Sequence, residues 1–252
     1  MDILVIADTQ IDKDSPLDHI EALSKYIWKH KPDTIIHGGD NWDFPSLSSY
    51  ATPSDREGLR LVSDIESGLN GLKKVMAYTE DRNRTGKRKQ YTPELHFLMG
   101  NHEKRLDKFI DGQPLLHGLI DLRGMIEELG WNFHEFNVPL WKNDICFVHY
   151  LESAFSGRPI GGAMETKLNK VPHSFFHFHQ QQFQFARRQN RQGKPHFGIC
   201  AGAFYMHDEK YRGSNNTEIR GVVHLRGFTN RYGYLDYDLE YISMERLLQD
   251  YS

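Results

Sequence analysis

Ile3-Leu4-Val5-Ile6-Ala7-Asp8-Thr9-Gln10 is the stretch whose reading decides the fold. The apolar run is short, unbroken and rich in β-branched residues, so it reads as a buried strand. It stops abruptly in an acid, a hydroxyl and an amide. Ser15-Pro16 then signals a helix start, with Ser15 as N-cap and Pro16 at the first helical position. Leu17, Ile20, Leu23 and Ile27 follow at helical spacing, and Pro32 stops the helix. Thr34-Ile35-Ile36 reads as the next strand. Strand, helix and strand make a βαβ unit, which implies a parallel sheet.

Further along, a second helix is expected from about Asp55 to Tyr78, with Leu61, Ile65, Leu69, Leu72 and Met76 on one face. Leu95 to Met99 is strand-like. Leu119, Leu122, Ile126 and Leu129 mark a third helical face, closed by Gly130. After Trp131 short strands dominate: 131–135, 145–149, 172–176, 198–204, 221–225 and 233–239. A last helix follows Ser243. The first half is βα and the second mostly β. No linker divides the 252 residues, so a single domain over 1–252 is expected.

Composition narrows the class. Thirty-eight per cent of residues are apolar and 12% aromatic, enough for a core and against wholesale disorder. A net charge of −3 argues against a generic basic nucleic-acid coat. No apolar run reaches about 18 residues, so no membrane span is expected. The run from Ile3 to Ala7 is too short for a signal peptide. Cys146 and Cys200 form no CxxC, which disfavours a disulfide framework or a thiolate zinc site and points to a reducing cytoplasm. Against these two cysteines stand fourteen histidines. Any metal ligands must be imidazole and oxygen.

Five apolar runs end in residues of that kind. Ile6-Ala7 leads to Asp8-Thr9-Gln10, and Ile35-Ile36 to Gly38-Gly39-Asp40-Asn41-Trp42-Asp43. Phe97-Leu98-Met99 leads to Gly100-Asn101-His102-Glu103, Phe147-Val148 to His149, and Phe175-Phe176 to His177-Phe178-His179. Ligands of open α/β sheets bind beyond the carboxyl ends of the strands, so these ends are expected to converge. Carboxylate, imidazole and amide oxygen suit borderline divalent ions. Glycine before Asp40 and Asn101 permits a sharp exit and close backbone approach. His177 and His179, two apart, would share a face if the strand were regular.

The ordered set D-x-[HQ], G-D-x-x-D, G-N-H-[DE], H, H-x-H resembles the calcineurin-like metallophosphoesterase superfamily, in a compact bacterial or phage-type form. The resemblance runs from residue 8 to residue 179. It implies an α/β fold, a four-layer α/β/β/α sandwich of two mixed sheets flanked by helices. It implies two divalent metal ions, Mn²⁺ favoured, with Fe, Zn²⁺, Ni²⁺ or Co²⁺ as alternatives. Asp8, Gln10 and His179 would hold the first ion; Asn101, His149 and His177 the second; Asp40 would bridge them. A hydroxide between the metals would attack phosphorus. His102 would serve as proton donor to the leaving group, oriented by Asp43. A cytoplasmic location is implied, that of the host for a phage-encoded chain.

Three positions depart from the family pattern. Gln10 stands where histidine is commoner, while Phe176 and Tyr150 stand where glycine is usual and would put bulk beside the metals. His173 competes with the H-x-H pair as a ligand. His37 and His207 read as partly buried or surface residues, and Glu103 and Arg105 as supporting contacts. Phe44-Pro45 after Asp43 departs from the Asp-Arg-Gly of protein Ser/Thr phosphatases and disfavours that branch. The expected substrate is a phosphoester, in the first place a phosphodiester, either nucleic acid or a nucleotide. Arg82, Arg84, Lys87, Arg88 and Lys89 form a basic segment within an irregular stretch, 79–93, and Arg187, Arg188, Arg191 and Lys194 a second cluster; either could neutralise phosphates. Trp42, Phe178 and Tyr150 are candidates to stack on bases. The alternative is a non-catalytic scaffold on the same fold, disfavoured by the presence of His102.

Overall fold

The computed structural model describes residues 2–48, 52, 54, 56–86, 89–153, 156–189, 193–208, 217–229 and 236–252. The first elements in chain order are β1 (Ile3–Ile6), α1 (Asp18–His30), β2 (Thr34–His37), α2 (Leu61–Thr85) and β3 (Glu94–Leu98). Next come α3 (Glu103–Asp111), α4 (Leu122–Glu128), β4 (Asn132–His134), β5 (Leu140–Lys142) and β6 (Ile145–Val148). Then follow α5 (Met164–Lys170), β7 (Ser174–His177), β8 (Phe183–Gln189), β9 (Pro195–Ala201), β10 (Gly221–Thr229), β11 (Asp236–Ser243) and α6 (Met244–Tyr251).

The strands form two mixed sheets, ordered β11-β10-β1-β2-β3-β4 and β5-β6-β7-β9-β8. β1 to β4 run parallel, with β10 antiparallel to β1. β6, β7 and β9 run parallel, and β5 and β8 are antiparallel edges. Alternation along the second sheet separates its faces. Phe147, Phe176 and Ile199 enter the central core, while Cys146, Val148, Phe175 and Cys200 pack with Met164 and Leu168 of α5. On the first sheet's side α1 packs against α2 and α6. The layers are therefore helices, sheet, sheet, helix, as expected. β1 and β2 are buried at every residue, which is why they read as unbroken apolar runs.

Several boundaries moved. Ser15 does not cap α1: its hydroxyl is tied to Asp12, and the helix begins at Asp18. α2 starts later than expected and runs through Thr85, so Arg82 and Arg84 belong to a helix end and not to a loop. Asp55, Lys87, Arg88, Arg191 and residues 233–235 lie outside the described residues. β5, β8, α3 and α5 are not among the elements expected from the sequence; β5 and β8 are edge strands without a continuous apolar run. The last helix follows Ser243 as expected, and the Ser243 hydroxyl caps it by accepting from the Arg246 N–H.

Candidate functional site

The carboxyl ends of β1, β2 and β3 meet those of β6 and β7 at one end of the two sheets. The turns that join them are tight. Gly39 takes φ +91°, and a Cβ there would lie 2.5 Å from the Leu98 carbonyl oxygen. A Cβ on Gly100 would lie 2.2 Å from Asp40 Oδ1. Both glycines are therefore required by close approach, as their positions suggested. Gln10, Asp40, Phe44 and His179 adopt positive φ (40°, 49°, 50° and 70°). Left-handed backbone at non-glycine residues is disfavoured and gathers at functional sites.

One buried carboxylate holds the turns. Glu103 Oε2 accepts from the N–H groups of Asp40 (2.9 Å) and Gly100 (2.8 Å). Its Oε1 accepts from those of Asn41 (2.7 Å) and Trp42 (3.2 Å). The exits of β2 and β3 are thus tied to the first residue of α3. Burial and the nearby Asp40 charge push the Glu103 carboxyl up, against the Trp42 N–H that pulls it down.

Asp40 lies at the centre. Its Oδ1 accepts from the His102 N–H at 2.8 Å, and its Oδ2 is 3.4 Å from His149 Nε2 and 3.9 Å from His102 Nε2. Burial pushes its carboxyl up, but His149 and His102 outweigh this and hold it well below the usual carboxylate range. Its carbonyl accepts from the N–H groups of Thr9 and Gln10, which seats the end of β1 beside it. Asp8 is fully buried; burial and then the Asp40 charge raise it to about 7. Asp8 Oδ1 accepts from the His179 N–H at 3.3 Å. Asp8 Oδ2 and Gln10 Oε1 are buried with no hydrogen-bond partner.

His149 Nδ1 lies 2.8 Å from the Gly38 carbonyl, and Nε2 lies 3.0 Å from Asn101 Oδ1. Burial pushes the imidazolium down, but Asp40 and Asp8 outweigh it and raise it to about 9. Among the described residues, Asp40, His149 and His179 form a group whose ligand atoms all lie within 4.8 Å of one another. His102 is buried with Nδ1 3.1 Å from the Asp43 carbonyl oxygen and 3.4 Å from Asp43 Oδ1. Against burial, which lowers it, Asp40 and Asp43 raise the His102 imidazolium.

The structure splits the H-x-H pair. His177 ends β7 in register with Val148 and Cys200, on the face toward α5. Its Nε2 is 3.0 Å from Lys167 Nζ and its Nδ1 3.0 Å from the Phe178 carbonyl. Burial, with Lys167 adding to it, pushes its pKa down to about 3. His179 escapes this face because its left-handed backbone breaks the strand. His177 is thus not brought into the group around Asp40. Lys167 is itself buried and also meets Gln180. The spacing Met164, Lys167, Leu168, Val171 places it on an apolar helix face, a signal the sequence held.

The other candidates fall in different places. Phe176 does not crowd the site; it stacks on Phe147 in the core, centroids 5.2 Å apart. Trp42 and Phe178 are fully buried and cannot stack on bases, whereas Tyr150 is half-buried against His179 at 5.3 Å. His173 packs on Trp141, away from the strand ends. His37 is buried beside Thr9, and burial pushes it down to about 3. His207 is half-buried and stacks on Tyr205. Arg82 lies over Tyr78, and Arg84 pairs with Asp81. Arg187 pairs with Asp236. Arg187 and Arg188 face Phe197 and His196, near the start of β9 and at the far end of the sheet from His177.

The sequence of residues 1–198 matches the family of calcineurin-like phosphoesterases. No curated protein matches the chain. Among solved structures, one crystal structure is 11% identical with a TM-score of 0.35, covering 96% of this chain and 99% of its own. The NAD nucleotidase of Haemophilus influenzae is 10% identical with a TM-score of 0.39, covering 99% of this chain and 55% of that one. At such scores neither overlay bears on what this chain does. The family match covers well over half of the 252 residues. On that ground, and with two mixed sheets whose strand ends gather Asp40, His149 and His179, the chain belongs to the calcineurin-like phosphoesterases, metal-dependent hydrolases of phosphoesters that generally use a dimetal centre.

Proposed function

We propose that the chain hydrolyses a phosphodiester, of nucleic acid or of a nucleotide, at a pair of divalent ions held at the strand ends. One observation carries the reading: two buried oxygens, Asp8 Oδ2 and Gln10 Oε1, lack any partner. An unmet buried polar atom costs about 1–3 kcal/mol. A cation would satisfy both. Asp8, Gln10, Asp40 and His179 would hold the first ion. Asp40, Asn101 and His149 would hold the second, without His177 as it is now placed. Oxygen and imidazole donors without thiolate suit Mn²⁺.

When bound, the ions supply Lewis acidity toward a phosphoryl oxygen and a nucleophile from water near neutral pH. The chain supplies the rest. Asp43 holds His102 by accepting at Nδ1, which aims Nε2 toward Asp40 and the centre. From there a protonated His102 gives its Nε2 proton to the leaving oxygen. Purified protein with Mn²⁺ is expected to cleave a chromogenic phosphodiester. Single- and double-stranded DNA, RNA, cyclic nucleotides and phosphomonoesters then rank the substrates. A folded, metal-loaded sample that cleaves none of them would leave a non-catalytic scaffold.

Two further outcomes test the ligands. Gln10→His is expected to tighten the first ion by about tenfold, since imidazole binds borderline ions better than a neutral amide. Calorimetric titration with Mn²⁺ checks this, and an unchanged affinity removes Gln10 from the set. The second outcome is pH dependence. Asp8, raised to about 7, keeps a proton that the unfolded chain releases near pH 4, so its contribution to stability falls as pH rises through that window. His149, raised to about 9, stabilises the folded chain fully below its ordinary value and loses this as pH rises through 9. Metal binding must displace these protons. Affinity for Mn²⁺ is therefore expected to rise by up to about tenfold per pH unit for each proton released. A pH-independent affinity would contradict this ligand set.

A further inference from the structure

Arg105 lies on the first turn of α3, three residues after His102, where helical spacing puts both on one face. Its Nη2 is 2.8 Å from His102 Nε2, and its Nη1 donates to the Asp43 carbonyl at 3.1 Å. Neither bond goes to a carboxylate. The guanidinium is half-buried, permanently charged, and has five donors in a fork suited to phosphate. It rests on the one ring nitrogen of His102 that faces the Asp40 carboxylate and the centre.

This contact conflicts with the proton donation assigned to His102. A guanidinium N–H that donates to Nε2 needs a lone pair there, so the ring hydrogen sits on Nδ1, toward Asp43. A proton on Nε2 would set two donors against each other at hydrogen-bond distance. His102 can act from Nε2 only after Arg105 has left it.

We propose that Arg105 is a substrate-binding residue that grips a non-bridging phosphoryl oxygen, and that its move from His102 to the phosphate frees the histidine for the leaving group. The proposal rests on the phosphoesterase reading and adds a phosphate ligand to it. Phosphate recognition then has a switch: without the anion, Arg105 blocks the proton donor.

The test uses the full chain loaded with Mn²⁺ and inorganic phosphate as the probe. Calorimetry is expected to show phosphate binding weakened about tenfold or more in Arg105→Ala, at unchanged metal content, because a charge-assisted fork is lost. Arg105→Lys is expected to recover part of the affinity, and added guanidinium part of that lost by Arg105→Ala. With a chromogenic phosphodiester, KM rises and kcat falls. Phosphate affinity within about twofold of wild type in a folded Arg105→Ala, or no phosphate binding by the wild type, overturns the proposal. Should the alanine variant not fold, Arg105→Lys decides by the same measure, since a charge without the fork must still bind phosphate less tightly. The two readings fail separately. A wild type that binds phosphate through Arg105 yet hydrolyses nothing refutes the enzyme and leaves the phosphate ligand standing.

Discussion

Glu103→Ala is expected to lower stability by about 3–5 kcal/mol, the range seen when one partner of a buried charged network is removed. The cause is local. Four backbone N–H groups, those of Asp40, Asn41, Trp42 and Gly100, lose their acceptor at once. Each buried donor left unmet costs about 1–3 kcal/mol, and water entry relieves only part of this. Glu103→Gln is a sharper probe, because it keeps the volume. Its amide oxygen serves one side, but its NH₂ faces N–H donors on the other, so it too is expected to destabilise. Denaturant midpoints measure the change, and metal titration follows the site. A shift under about 1 kcal/mol for both variants would show that the turns hold themselves.

The second large effect is on turnover. His102→Ala is expected to reduce kcat by about a hundred- to ten-thousandfold, the usual worth of a placed acid or base. Metal content should not change, because the ring of His102 is absent from the group formed by Asp40, His149 and His179. The loss should shrink for a substrate whose leaving group is already a weak base, which needs no proton. Asp43→Asn separates orientation from donation. The main-chain bond to Nδ1 survives that change, so a smaller loss is expected. Loss of metal in His102→Ala would recast the residue as structural.

The sequence made much of this site readable for a physical reason. β1, β2, β3 and β6 are short buried strands, so each apolar run ends where its polar residues begin. The strand ends point to Asp8, Asp40, His102 and His149, and the order of the motifs along the chain singles them out. The two glycines announced close approach before any geometry did. What failed were the inferences that needed a side-chain direction. The two-residue spacing of His177 and His179 would share a face only if the strand continued, and the backbone at His179 does not continue it. Trp42 and Phe178 follow polar residues and so read as exposed, yet both are fully buried, Trp42 against α2 and Phe178 against Gly38. The described residues of the basic clusters are neighbours along the chain and not at the site. The antiparallel return of β8 carries Arg187 and Arg188 to the other end of the sheet. Glu103 was visible only as part of a motif, since nothing local reveals a carboxylate that serves four partners.

The pairing of β1 has a consequence for synthesis. Ile3 pairs with Thr34 on one side, but with Leu225 on the other. A ribosome therefore delivers β1 and its neighbour β2 long before its other neighbour, β10. Until β10 emerges, one edge of β1 is open to the wrong partner. Asp8 accepts from the N–H groups of His179 and Phe204, so its surroundings close only once the chain through Phe204 has been made.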